Sequence, residues 1–279
     1  MDGAALAARI RAEVKDDVTE HGDVRLATVL VGDDPASQIY IRLKHKAADE
    51  VGIQALDKRL PAETPETELL ELVEELNEDD SIDGILVQTP LPEHIDEARV
   101  MRALDPMKDV DGLHPFNAGQ LFFGHQTLVG ATPRGVMRLL AEHQIPIAGA
   151  RAVVVGRSLI VGRPLSMLLL HANATVTIGH SRTQDLARHT LDADILVAAV
   201  GHIGLITADM VKQGAAVVDV AINRSEEGLF GDVDPGVADV AAFLTPVPGG
   251  VGPMTIACLL ENAVTAARYR SGALAFPRI

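Results

Sequence analysis

Short apolar runs rich in Val, Ile and Ala alternate along this chain with stretches of helical periodicity, and that alternation constrains the fold more than any other feature. Residues 24–31, 84–88, 151–155, 174–178, 195–200 and 216–220 read as strands bounded by turn residues. Helical spacing covers residues 4–18, 37–51, 66–77, 163–171 and 254–270, and Pro133-Arg134-Gly135 opens a further helix that runs to about His143. Strands this apolar are buried on both faces, as in parallel sheets, and parallel neighbours need a crossover, usually a helix. The chain is therefore expected to be α/β. Two sets of elements occur, one before about residue 120 and one after, and the second begins with a glycine turn. The expected architecture is two α/β domains with a cleft between them, the second a Rossmann-like doubly wound parallel sheet. Residues 1–120 would form the first, completed by a returning C-terminal helix within 254–279, and residues 121–253 the second. Pro253 suits the first turn of that last helix.

At 279 residues and 47% hydrophobic content, the chain is long and apolar enough for two such cores. A lone Cys258 allows neither an internal disulfide nor a thiolate metal cluster. No H-x-x-x-H pair and no G-x-S-x-G turn occurs, so neither a metal site nor a serine hydrolase is expected. No stretch approaches about 18 uninterrupted apolar residues, and no basic segment followed by an apolar one marks the amino terminus. A cytoplasmic chain that neither spans a membrane nor is secreted is expected.

Asp and Glu number 39 against 24 Lys and Arg, a net charge of -15. Nucleic acid is not an expected partner, because phosphate neutralisation needs basic stripes. The excess is one-sided: the first 120 residues hold 27 acidic and 12 basic side chains, the remainder 12 of each. Much of it falls between Glu63 and Asp80, where no basic residue occurs, and the chain uses 18 Arg but only 6 Lys. That pattern points to adaptation to molar salt, where carboxylates hold hydrated cations and prevent association. A melting series in potassium chloride checks this, and greatest stability at low salt contradicts it.

The second half opens on Val153-Val154-Val155-Gly156-Arg157-Ser158-Leu159-Ile160-Val161-Gly162-Arg163-Pro164, a strand, a glycine turn and a helix start. Glycine lets backbone approach a pyrophosphate, and the helix N-terminus offers free N–H groups at a positive dipole end. The spacing departs from G-x-G-x-x-G, and a purely structural turn would give the same run. The following strand leads into Gly179-His180-Ser181-Arg182-Thr183, with no acid before Asp185. An NAD site usually places a carboxylate there for the ribose 2′-hydroxyl, whereas a hydroxyl and a guanidinium suit a 2′-phosphate, which favours NADP. A polar surface loop is the plainer alternative. Later strands end at Gly201-His202 and at Asp219-Val220-Ala221-Ile222-Asn223-Arg224, where ligands of such sheets sit.

In the first half, Ser37, Tyr40 and Lys44 share one helix face at i, i+3 and i+7. Lys44 is a lysine in a chain that prefers arginine, and only lysine can be tuned toward a neutral amine for acid/base work. A solvated helix face would present the same spacing. Gln88 stands at a strand tip before Pro90 and Pro92. Asp109 and Asp111 lie in the turn-rich run Pro106-Met107-Lys108-Asp109-Val110-Asp111-Gly112, where either could accept from a heterocycle or cap the turn. The loop Pro246-Val247-Pro248-Gly249-Gly250-Val251-Gly252-Pro253, nearly bare of side chains, lets backbone meet a ligand.

Together these runs, with V-G-D-D-P-A-S-Q-I-Y-I-R-L-K-H-K at 31–46 and the segments at 84–92, 108–121, 153–164, 174–183, 193–201 and 246–255, resemble the bifunctional methylenetetrahydrofolate dehydrogenase/cyclohydrolase family. The resemblance covers about residues 2–270. It implies NADP as cofactor, tetrahydrofolate derivatives as substrates and a homodimer. It implies that Lys44 does the acid/base work of the cyclohydrolase step, that Gln88 tunes it, that Tyr40 stacks on the folate and that Asp111 holds the pterin, with Ser37 close by. Gly249, Gly250 and Pro253 would border the folate and nicotinamide. Gly156, Arg157, Ser158, Gly162, His180, Ser181, Arg182 and Ile222 would hold the cofactor, Arg157 and Ser181 around the 2′-phosphate. Ala221, His202 and Gly179 depart from the family's usual glycine, lysine and cysteine. An amino-acid dehydrogenase leaves Tyr40 and Gln88 unexplained, and a nucleotide-sensing module without catalysis leaves Lys44 without a purpose.

Overall fold

The β-branched runs become parallel strands in two separate sheets. The computed structural model describes residues 1–226 and 228–277, and the chain forms two compact units. One comprises Arg9–Ala131 and the chain from Ile256 onward, the other Met1–Ala8 and Thr132–Thr255.

In the first of these, α1 (Gly3–His21, entering from the other unit) leads to β1 (Arg25–Val31), α2 (Pro35–Val51), β2 (Gln54–Leu60), α3 (Glu66–Glu78) and β3 (Gly84–Val87). Two short helices follow, α4 (Glu97–Ala103) and α5 (Pro115–Phe122). The sheet is parallel in the order β2-β1-β3. Ala27, Val29 and Val31 of β1 pack with Leu69, Val73 and Leu76 of α3, so that helix buries one face. Its Glu68, Glu71, Glu74, Glu75 and Glu78 are exposed on the other, which places the acidic run on an outer surface.

The second unit holds α6 (Ala131–Glu142), β4 (Arg151–Val155), α7 (Gly162–His171), β5 (Thr175–Gly179), α8 (Leu186–Thr190), β6 (Ile195–Ala198) and β7 (Ala216–Asp219). A hairpin of β8 (Asn223–Ser225) and β9 (Gly228–Phe230) follows, then β10 (Phe243–Leu244) and α9 (Val251–Arg270). The five parallel strands lie in the order β10-β7-β6-β4-β5. Counted from the first strand of the unit this is 2-1-3-4-5, a doubly wound order whose switch point lies between β4 and β6.

Several boundaries differ from the sequence reading. Residues 54–60 form a strand where none is expected, because Gln54-Ala55-Leu56-Asp57-Lys58-Arg59-Leu60 lies at a sheet edge and is largely exposed. The run at 195–200 leaves the sheet after Ala198, where the backbone turns toward a buried carboxylate. The last helix starts at Val251 rather than 254, so Pro253 is its third residue, and it ends at Arg270 as the helical spacing predicts, inside the 254–279 segment expected to complete the first domain. Residues 278 and 279 of that expected segment lie outside the described residues. From Ile256 onward α9 packs in the first unit, where Asn262 Nδ2 donates to Val110 O at 2.7 Å and Val129 O at 2.8 Å.

Candidate active site

Helix α2 is set by its ends. Asp34 caps it by accepting from Ser37 N at 2.7 Å, Pro35 follows in the first turn, and Gly52 closes it in the left-handed conformation. Ser37, Ile41, Lys44, Ala48 and Val51 then form the buried stripe of the helix. Lys44 sits on a face that propensity would fill with an aliphatic residue. Its side chain is 8% exposed and Ser37 is 3% exposed, while Tyr40 on the flank is 36% exposed.

The ammonium of Lys44 donates to Gln88 Oε1 at 3.0 Å. Gln88 Nε2 donates to Thr89 O at 2.8 Å, which fixes the amide with its oxygen toward the lysine. Gln88 follows β3, and its backbone N–H stays on β1 through Val29 O at 2.8 Å. Burial pushes Lys44 below the ordinary lysine range, with the charge of Asp111 opposing. Burial also raises Asp111, with Lys44 opposing. Both shifts favour the neutral forms, so a proton is held less tightly by this lysine than by one in water.

Asp111 is delivered by a tightly fastened loop. Lys108, completely buried, donates to Leu76 O at 2.8 Å, Asn77 O at 2.7 Å and Asp79 O at 2.8 Å, the carbonyls at the end of α3. An ammonium has three donors and the end of a helix has orphan carbonyls, so the match is complete and also opposes the helix dipole. Ile85 N donates to Lys108 O at 2.7 Å, and Gly84 leaves room for Val110, whose Cγ1 would lie 2.5 Å from a Cβ there. Asp109 is the turn cap of the pair: its Oδ2 accepts from His114 N at 2.8 Å and Asn117 Nδ2 at 2.9 Å. Its Oδ1 is buried without a partner, and burial raises this carboxyl to about 6 despite those hydrogen bonds.

In the other unit a pocket of about 510 Å³ lies at the carboxyl ends of β4, β5 and β6. Gly156, Arg157, Ser158, His180 and Ser181 line it. Gly156 has φ +131°, and a Cβ there would lie 2.3 Å from Ala199 O. Gly162, at the start of α7, would put a Cβ 2.2 Å from Gly156 O. The βα turn is therefore packed backbone against backbone too closely for a side chain at either position. Ser158 Oγ accepts from Val161 N at 3.1 Å and Gly162 N at 3.4 Å, holding the turn. Gly162, Arg182 and Ile222 do not line this pocket; Arg182 N donates to His180 Nδ1 at 3.2 Å, and Ile222 lies over Gly252.

Gly249, Gly250 and Pro253 also belong to this second unit, whereas Ser37, Tyr40, Lys44, Gln88 and Asp111 belong to the first. Gly249 has φ +107°, and its carbonyl accepts from Gly3 N at 3.0 Å.

Two carboxylates stand beside the pocket: Asp232, which the sequence does not single out, and Asp219, which it marks only as the start of a strand-end run. Asp232 is completely buried and accepts from Val200, Gly201 and His202 N–H, and Asp219 accepts from Asp232 N at 3.0 Å and Val233 N at 2.9 Å. Burial, with the nearby charge of Asp232 adding to it, raises Asp219 to about 6. Lys108 also escapes the sequence reading; its one visible signal is that it is a lysine where arginine is the rule.

A family profile described as tetrahydrofolate dehydrogenase/cyclohydrolase, catalytic domain, matches residues 1–111, and one described as tetrahydrofolate dehydrogenase/cyclohydrolase, NAD(P)-binding domain, matches residues 130–271. The bifunctional protein FolD of Methanospirillum hungatei is 54% identical over 274 residues, covering 98% of either chain. The crystal structure of the bifunctional FolD methylenetetrahydrofolate dehydrogenase/cyclohydrolase from Campylobacter jejuni superposes with a TM-score of 0.94 at 47% identity, covering 96% of this chain and 98% of that one. The Trypanosoma brucei enzyme, solved with NADP cofactor and an inhibitor, gives 0.93 at 39% identity over 98% of both chains. This chain belongs to the tetrahydrofolate dehydrogenase/cyclohydrolase family.

Proposed function

We propose that this protein oxidises 5,10-methylenetetrahydrofolate to 5,10-methenyltetrahydrofolate with NADP, and then hydrolyses the methenyl compound to 10-formyltetrahydrofolate. The observation that carries the reading is the buried Lys44–Gln88 pair with Asp111 beside it in a chain of this family.

NADP, when bound, supplies the hydride acceptor of the first step. Gly156, Arg157 and Ser158 line the pocket proposed to take its pyrophosphate, with Gly162 opening the helix behind them, and Arg157 and Ser181 suit its 2′-phosphate. His180, Arg182 and Ile222 complete the proposed cofactor set, and Gly249, Gly250 and Pro253 are proposed to meet folate and nicotinamide through their backbone. In the second step water adds to the methenyl carbon, and the neutral amine of Lys44 takes the proton released. That proton is returned to N5 as the carbon–N5 bond breaks, the remaining hydroxyl proton passes to the amine and on to solvent, and the formyl group is left on N10. The cationic substrate itself favours the neutral lysine, and Gln88 Oε1 keeps the amine aimed whichever form is present. Tyr40 stacks on the folate ring, Asp111 accepts from its N–H groups, and Ser37 lies on the same helix face.

Finer features of the proposal are a cytoplasmic homodimer that supplies one-carbon units to purine biosynthesis and tolerates high salt. The exposed acids of α3 support the last of these. None of the described helices is long and apolar enough to cross a membrane.

Mixing the protein with NADP and methylenetetrahydrofolate gives a methenyl absorbance that rises and then decays. Lys44→Met keeps the rise and slows the decay by about 100-fold or more, the usual worth of a positioned proton-transfer group. Decay at the parent rate in that variant removes Lys44 from the mechanism.

A further inference from the structure

Asp232 is a completely buried carboxylate outside the sets of residues proposed to hold the cofactor and the folate. Its Oδ2 accepts from Val200 N at 2.6 Å and Gly201 N at 3.1 Å. Its Oδ1 accepts from His202 N at 2.6 Å and Asn223 Nδ2 at 3.1 Å. Three consecutive backbone N–H groups, with Gly201 at φ +81°, thus converge on one anion, the geometry of an anion-binding nest. These four donors offset the cost of burying its charge.

The carboxylate is itself held from behind. Asp219, at the end of β7, accepts from Asp232 N and from Val233 N. Gly231 has no side chain because a Cβ there would lie 1.8 Å from Asp219 Oδ2. A chain of two carboxylates therefore runs from the end of β7, through residues 232–233, to the turn after β6. That turn carries Val200 and His202, which line the pocket at the switch point of the sheet.

We propose that Asp232, braced by Asp219, is the positioning residue that sets the β6 wall of the cofactor pocket and fills a nest that would otherwise compete for the cofactor's phosphates. A carboxylate is needed because it accepts on both oxygens. An amide in its place presents one NH2 to N–H donors, whichever way it is turned, and leaves at least one of them buried and unsatisfied.

The inference rests on the functional reading above, and NADP itself is the probe. Calorimetric titration of Asp232→Asn should give a Kd for NADP about tenfold or more above the parent's. Hydrolysis of preformed methenyltetrahydrofolate, which needs no nicotinamide, should continue at the parent rate. Asn223→Ala, which removes one donor and leaves the carboxylate, should show the same split with a smaller rise, and it carries the test if the first variant does not fold. Asp234→Asn caps only the following turn and should bind NADP as the parent does. A parent-like Kd in Asp232→Asn, or in Asn223→Ala alone when the other is unfolded, overturns the proposal. So does a proportional loss of both activities, which would mark a general folding role. Failure of the parent protein to bind NADP would reject the functional reading instead.

Discussion

The two units fasten their functional loops with buried charges of opposite sign. In the first, the Lys108 ammonium gathers three carbonyls at the end of α3 and so holds the loop that delivers Asp111. In the second, the Asp232 carboxylate gathers three N–H groups and so holds the turn that delivers Val200 and His202. The sign follows from what the backbone offers. A helix C-terminus presents carbonyls and attracts a cation, while a turn whose N–H groups converge attracts an anion. The difference lies in what stands beyond the fastened loop. Lys108 holds the loop that carries Asp111 beside Lys44, the lysine proposed to move the proton, and Asp232 holds the turn proposed to form a pocket wall. Damage to each should therefore fall on a different activity.

Lys108→Met breaks that comparison most severely, since it leaves three carbonyls at the α3 terminus without their donor. Each buried carbonyl left without its donor costs about 1–3 kcal/mol, read as a lowered urea midpoint. Where the variant still folds, hydrolysis should fall while the NADP Kd stays at the parent value, the reverse of Asp232→Asn. Lys108→Arg should not restore it, because a planar guanidinium does not match three carbonyls arranged about one point. Parent-like stability in Lys108→Met would mean that the loop is held by its backbone pairing to β3 alone.

A smaller effect separates the two carboxylates of the Lys108 loop. Asp109 is raised to about 6 by burial, so the folded state holds its proton more tightly than the unfolded chain does. Its contribution to stability is then full below the unfolded carboxyl value and is lost as pH rises toward about 6. Asp109→Asn removes that dependence. The stability of the variant relative to the parent should rise by ~2 kcal/mol between pH 4 and pH 7, because each tenfold tighter hold on a proton is worth about 1.4 kcal/mol. A difference that stays flat with pH would place the Asp109 carboxyl at its ordinary value.

Sequence and structure agree most closely where one local pattern carries the information. Ser37 and Lys44 are legible from helical spacing and from the rarity of lysine, and the structure puts both on the buried stripe of α2. Gly156 and Gly162 are legible as glycines of a strand-turn-helix run expected to approach a pyrophosphate, and the structure adds that a Cβ at either would strike neighbouring backbone. The edge strand β2 is hidden because exposed strands carry no apolar run. Lys108 and Asp232 are hidden for another reason: their partners are backbone groups about 30 residues away, and peptide carbonyls and amides leave no trace in composition. The turn pattern alone leaves Asp109 and Asp111 equivalent, the resemblance picks Asp111 for the pterin, and the hydrogen bonds of Asp109 mark it as the turn cap.

Burial beside Gln88 loosens the hold of Lys44 on its proton. The most direct test is the titration of that amine, followed by NMR after isotopic labelling of the lysines and assigned by comparison with Lys44→Met. The Lys44 signal should titrate below the ordinary lysine value of about 10.4 in the folded protein and return to it in the urea-unfolded chain. A Lys44 that titrates at or above the ordinary value in the folded protein would contradict that loosened hold.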